Sequence, residues 1–321
     1  MAFSLEKARE VIRIEAEAVA ALESRIDENF VRAVEVLHKC KGRVIVSGMG
    51  KSGIIAQKIA STLSSTGTAA MFMHPAEAAH GDLGMVMPDD VVICISKSGR
   101  TEEFYVLIPL FKRLSIPVIA MTGNLHSPLA DHADVVLDTS VKQEACPHDL
   151  APTASTTAAL VMGDALAIAL LETREFTKED FALRHPSGSL GKKLLLRIDD
   201  VMYAGEKIAH VNESTGLDEI ILEITSKRFG ATCVLDENGQ LTGIITDGDL
   251  RRLLTKRTPL TGISARDMMT RNPKAVHTGT LASQVLEMME DLNIMQMIVV
   301  DIEHRPVGMA HLHDLLKAGV A

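Results

Sequence analysis

The chain has 321 residues, room for two domains at the usual ~100–200 residues each, and 46% of them are apolar, so it can bury real cores, built from aliphatics and methionine because aromatics make up only 3%. A formal charge of −9 excludes a general nucleic-acid or anionic-membrane binder, so an anionic ligand must be drawn by local donors and not by the overall field. Cys40, Cys94, Cys146 and Cys233 have no CxxC spacing, the pattern of a reduced cytoplasm; no stretch is expected to reach membrane-span length, and no signal peptide is read at the N-terminus.

Taken in order, residues 4–40 carry Val11, Ile14, Ala18, Leu22 and Ile26 at near-helical spacing, which predicts two helices with a break near Asp27. Strands are predicted at 43–46, 69–73, 91–95, 116–121 and 135–137. Helices are predicted at 54–63, from 101 onward, and at 153–171, the last long and rich in alanine. This alternation predicts an α/β unit: a five-stranded parallel sheet with helices on both faces. Ligands of such sheets bind beyond the carboxyl ends of the strands, at a switch point that in the flavodoxin-like order 2-1-3-4-5 lies between strands 1 and 3.

Those two strands run into serine–glycine loops, each with a lysine. The third leads into Ser96-Lys97-Ser98-Gly99-Arg100-Thr101. Small hydroxyls, a glycine, a cation at Lys97 or Arg100 and a helix N-terminus suit an anionic group, although the same residues also make an ordinary strand-to-helix turn. The first leads into Gly48-Met49-Gly50-Lys51-Ser52-Gly53, a literal G-x-G-x-x-G. A dinucleotide site also needs an acid near the end of strand 2, which ends instead in His74-Pro75 with Glu77 the nearest acid. Nor is the loop a Walker A sequence, since Ile45 stands where its first glycine belongs.

The pattern changes near Leu196. Gly243-Ile244-Ile245-Thr246-Asp247-Gly248-Asp249-Leu250 returns sixty-five residues later as Gly308-Met309-Ala310-His311-Leu312-His313-Asp314-Leu315, and helices are predicted ahead of the two copies at 217–228 and 281–292. A tandem βαββα-like pair, each copy burying its sheet against the other, is the natural reading. The domains are therefore drawn at 1–198, 199–262 and 263–321.

At this point the chain resembles a known family. Ser47-Gly-x-Gly-Lys-Ser, Ser96-x-Ser-Gly-x-Thr-Glu and the long closing helix are similar to a sugar isomerase (SIS) domain, and the repeats to CBS domains. His74-Pro-Ala-Glu-Ala-Ala-His80-Gly-Asp-Leu-Gly, Glu144-Ala-Cys-Pro with Leu150-Ala-Pro-Thr, and His185-Pro-Ser-Gly-Ser-Leu-Gly narrow the resemblance to the arabinose 5-phosphate isomerases. It implies an enzyme that interconverts ribulose 5-phosphate and arabinose 5-phosphate for 3-deoxy-octulosonate (Kdo) synthesis, feeding lipopolysaccharide or capsule, as a cytoplasmic homotetramer needing no cofactor. It places catalytic positions on Lys51, Glu103, Glu144 and His185, and sugar-pocket positions on Gly67, Thr68, His74 and His80. His74 also matches the position of an inhibitory zinc. The repeat pair would take a nucleotide or sugar-nucleotide effector through Thr246 and Asp249; the second copy has His311 at the threonine position and keeps Asp314. An oligomerisation role for the pair stands beside that reading.

Residue chemistry agrees with an enediol route, which needs a base beside the carbonyl, a stabiliser for the enediolate and a phosphate anchor. Phosphate contacts are expected from Ser47, Ser96, Ser98 and Thr101. Glu144, on a loop free of a helix dipole, is expected to be the proton shuttle with a raised pKa, and Glu103, at a helix N-terminus, its support. His185 precedes Pro186, is therefore extended, and is expected to reach a neighbouring subunit's crevice. Every catalytic candidate precedes the repeats, so residues 1–198 are expected to turn over alone. The alternative, a regulatory sugar-phosphate binder without turnover, would not need carboxylates facing an anionic ligand.

Overall fold

The computed structural model describes residues 5–255 and 260–320. The chain divides into two compact units, Met1–Phe181 and Ala182–Ala321. The first opens with α1 (Leu5–Ala20) and α2 (Glu28–Lys39). The break near Asp27 is an N-cap, its carboxylate accepting from the N–H groups of Asn29 and Phe30. There follow β1 (Val44–Gly48), α3 (Gly50–Ser65), β2 (Ala70–Met73), α4 (Pro75–Ala79), β3 (Val91–Ser96), α5 (Glu102–Arg113), β4 (Val118–Thr122), α6 (Pro128–His132), β5 (Val135–Asp138) and α7 (Ala154–Thr173). The sheet is parallel with the expected order β2-β1-β3-β4-β5.

Every residue of β1, β3 and β4 is buried, which is why these strands read as unbroken apolar runs. Alternate residues feed opposite faces. Val44, Val46, Ile93 and Ile119 pack with Leu37 of α2, Ile59 and Leu63 of α3, and Met162 and Leu166 of α7. Ile45, Val92, Cys94 and Ala120 pack with Phe104, Leu107 and Phe111 of α5. α3 starts at Gly50, ahead of the expected residue 54, so the glycine loop forms the first turn of the helix itself. Contrary to expectation, α7 is long and apolar enough to cross a membrane by length and composition. It packs instead against α1, α2 and α3, with Ala158, Met162, Leu166 and Leu170 buried, the position of a core helix.

α8 (Lys178–Arg184) carries the chain across the division into α9 (Ser189–Leu195). Residues 182–198 group with the repeats: the Ser283 hydroxyl donates to Lys193 O at 2.8 Å and the Ala282 N–H to Leu196 O at 2.9 Å. The repeats comprise β6 (Tyr203–Ala204), β7 (His210–Asn212), α10 (Leu217–Lys227), β8 (Ala231–Leu235), β9 (Leu241–Thr246), α11 (Asp247–Thr255), α12 (Ala265–Met268), β10 (Thr270–Arg271), β11 (Ala275–His277), α13 (Ala282–Asp291), β12 (Gln296–Val300), β13 (Pro306–His311) and α14 (Leu312–Ala318).

Two four-stranded sheets result, β10-β9-β8-β7 and β11-β12-β13-β6. Each is completed by a two-residue strand from the other repeat's leading segment: β6 pairs with β13, and β10 with β9. The same exchange explains the repeated glycine. A Cβ on Gly243 would stand 2.4 Å from Met269 Sδ, and one on Gly308 2.1 Å from Met202 Sδ, so each exchanged segment lays a methionine on the facing glycine. Ile208, Phe229 and Cys233 of the first repeat pack with Ile298, Val300 and Met309 of the second, the sheet-on-sheet burial the repeat pattern predicts.

Candidate active site

The β3–α5 loop is a tight turn at the carboxyl edge of the sheet. Gly99 has φ +64°, and a Cβ there would fall 1.9 Å from Ser127 Oγ, so the turn requires glycine on both counts. Ser96 Oγ is 2.8 Å from Thr101 Oγ1 and accepts from the Gly99 N–H at 3.1 Å. On the neighbouring strand the Ser47 hydroxyl donates to Met73 O at 2.7 Å. The Ser47 proton is thus committed within the protein, because a buried hydroxyl without a partner is costly, whereas in the Ser96–Thr101 pair only one hydroxyl donates to the other, which leaves one proton for a ligand. Ser98 is exposed; its oxygen accepts from the Arg100 N–H at 3.2 Å, which leaves its proton for a ligand. The anion-suited features are the Ser98 hydroxyl, the free proton of the Ser96–Thr101 pair, the N-terminus of α5, and exposed Lys51 and Arg100.

Glu144 is only 2% exposed. Its Oε2 accepts from the Thr153 N–H at 2.8 Å, the Thr153 hydroxyl at 3.2 Å and the Ser155 N–H at 3.1 Å, and its Oε1 from the Ser155 hydroxyl. Lys97 Nζ lies 2.7 Å from Oε1. The Glu144 N–H in turn donates to Asp149 Oδ1 at 2.6 Å. Burial pushes the carboxyl pKa up, but the Lys97 ammonium and the Ser155 and Thr153 donors outweigh it and bring it down to about 2. The expectation of a raised pKa on a loop free of helix dipole is therefore reversed: Glu144 caps the N-terminus of α7. Thr153 and Ser155, ahead of an apolar run, are the cap signature that could have disclosed this.

Glu103 lies in the first turn of α5, half-buried, and makes no hydrogen bond or ion pair among the described residues. His74 caps the carboxyl end of β2, with its Nδ1 buried and without a hydrogen-bond partner. His80 is exposed at the far end of α4. No three His, Cys, Asp or Glu side chains come together to hold a metal among the described residues, so His74 does not fit a closed zinc site in this chain alone. Gly67 and Thr68 precede β2, at the opposite end of the strand from His74, so the structure does not bring them to this crevice. Thr68 Oγ1 is buried there without a partner. His185 belongs to the second unit.

The second unit holds its own cavity, about 680 Å³, lined by Tyr203, Lys207, Lys227, Arg228, His311 and Asp314 among others. The repeat-related aspartates differ. Asp249 accepts from the Thr246 hydroxyl at 2.6 Å and pairs with Arg252 at 2.6 Å, which together outweigh burial and lower its pKa. Asp314 makes no such contact among the described residues.

Comparison with known proteins gives the class first: residues 36–169 match the SIS domain family, and 198–256 and 265–321 the CBS domain family. The arabinose 5-phosphate isomerase KdsD of Pseudomonas aeruginosa is 53% identical over 316 residues, 98% of this chain and 97% of that one. KdsD of Escherichia coli K12 is 51% identical over 312 residues, 97% and 95% of the two chains. The chain belongs to the arabinose 5-phosphate isomerase family. Among solved structures, Escherichia coli CFT073 c3406 in complex with arabinose 5-phosphate is 45% identical, with a TM-score of 0.53 over 56% of this chain and 95% of that one.

Proposed function

We propose that this chain interconverts D-ribulose 5-phosphate and D-arabinose 5-phosphate through an enediol, in the cytoplasm, supplying Kdo synthesis. The observation that carries it is the pairing, at the carboxyl edge of one sheet, of an anion-suited helix start with carboxylates at two further functional positions, Glu103 and Glu144. Four unpaired cysteines agree with a reduced compartment. The phosphate goes to the N-terminus of α5, with the Ser98 hydroxyl and the exposed cations Lys51 and Arg100. The base is Glu103, whose carboxylate is not tied up by other donors, while Glu144 keeps its charge. No metal or nucleotide enters the reaction.

A homotetramer is the proposed assembly, supported by apolar side chains left exposed on packed helices: Leu5 and Ile12 of α1, Ile54 of α3 and Ile168 of α7. In it His185 of the partner subunit reaches the crevice. Gly67 and Thr68 would meet a sugar only where a second subunit is brought against their edge of the sheet. In the second unit, Lys207 over the Tyr203 ring, with Lys227 and Arg228, suits an anionic nucleotide or sugar-nucleotide effector at the cavity these residues form with His311 and Asp314 of the second repeat. The test of the function is incubation with ribulose 5-phosphate: arabinose 5-phosphate should appear without added metal or nucleotide. Binding without conversion would leave a regulatory protein instead.

A further inference from the structure

Lys97 follows the last residue of β3, and its backbone is fixed by the Gly123 N–H, which donates to Lys97 O at 3.0 Å. Its side chain is 44% exposed, whereas that of Glu144 is 0% exposed. The carboxylate is thus sealed, and the lysine is the half of the pair that is open to solvent. Lys97, Ser52 of the first α3 turn, Thr139 after β5, and Ser155 of α7 line a cavity of about 30 Å³. That is room for one or two waters and no sugar.

The other cations at this edge are built differently. Lys51 and Arg100 are exposed and make no side-chain hydrogen bond or ion pair among the described residues. Cations of that kind can follow a phosphate in and out. Lys97 can swing away only by giving up the charged partner of a buried carboxylate. A pinned donor of this kind costs no reorganisation when charge develops beside it, which is the requirement for transition-state stabilisation.

We propose that Lys97 is a further catalytic residue of the isomerisation, its ammonium donating to the negative oxygen of the enediolate, and that Glu144 is a positioning residue acting through it. The proposal rests on the isomerase reading above. From aldose to ketose, the base takes the C2 proton, the C–H electron pair forms the C1–C2 double bond, and the carbonyl pair moves onto O1, which takes the charge beside Lys97. The O2 proton then passes to O1 as O2 becomes the carbonyl, and the base returns its proton to C1, so no oxidant or reductant is consumed.

Steady-state kinetics of Lys97→Met, Lys97→Arg, Glu144→Gln and the Lys97→Met/Glu144→Gln double variant test it. Lys97→Met should lower kcat by about 10²–10³ with KM within about threefold, as for loss of one preorganised donor. Lys97→Arg should recover at least about tenfold, and the double variant should be no slower than Lys97→Met, since two residues acting as one unit are not additive. Should Lys97→Met fail to fold, Lys97→Gln repeats the test, because it can still donate to Glu144. A live wild type with an unchanged kcat in Lys97→Met, a rise in KM alone, or losses that multiply in the double variant overturns the proposal. A wild type that turns nothing over sinks the isomerase reading and this one with it.

Discussion

Glu103 and Glu144 are both carboxylates beside a helix N-terminus, in opposite surroundings. Glu144 is buried and takes donors from Thr153, Ser155 and Lys97. Glu103 is half-buried one turn into α5 and has no such contact among the described residues. What holds Glu144 as an anion is the ammonium, N–H and hydroxyl groups that reach its oxygens. A carboxylate with a pKa of about 2 is too weak a base to take a sugar C–H proton well at neutral pH, whereas its fixed charge can hold a lysine in place. Under the proposed function, this contrast gives proton transfer to Glu103 and positioning to Glu144.

The largest effect that could break this contrast is on turnover. Glu103→Gln should lower kcat by about 10²–10⁴ with little change in KM, because the phosphate-binding helix start is untouched. A wild-type kcat in that variant would remove Glu103 from the chemistry. Next comes the shared site. His185→Ala and Glu103→Ala should each be nearly inactive alone, and mixed oligomers should regain part of the activity if His185 of the partner subunit completes the crevice. No recovery after confirmed subunit exchange would confine the site to one chain.

A smaller effect lies in stability. Glu144 has a folded pKa of about 2, below its ordinary 4.5. Its stabilising contribution is thus fully present above the unfolded value and is lost as pH falls through the folded one. That difference is worth about 3 kcal/mol. Denaturant unfolding of Glu144→Gln should accordingly show a weaker loss of stability between about pH 5 and pH 2 than wild type. Parallel pH profiles would mean that the carboxylate is not held as the structure has it.

The sheet was legible because its strands are buried on both faces and so appear as apolar runs such as Val91-Val92-Ile93-Cys94-Ile95. The order 2-1-3-4-5 was the flavodoxin-like expectation, and the two serine–glycine loops fall at its switch point between strands 1 and 3. One hydroxyl was less legible: Ser47 looks like a ligand donor in sequence, but it sits near the end of a buried strand, where Met73 O takes its proton. The environment of Glu144 was hidden for a different reason. Its partners arrive from the start of α7, where the cap residues are legible, and from the loop after β3, and only the fold brings Lys97 to it. Two-residue strands such as β6 and β10 carry no periodicity, so the exchange between the repeats was not readable. α7 was misjudged from the other direction, since an apolar core helix and a membrane span have the same composition.

The central claim is the division of labour between the two carboxylates, and exchange of the substrate C2 proton with solvent deuterium tests it most directly. In Glu103→Gln exchange should collapse together with turnover; in Glu144→Gln it should fall no further than it does in Lys97→Met. Exchange that persists in Glu103→Gln but is abolished in Glu144→Gln would contradict the account and return the proton to Glu144.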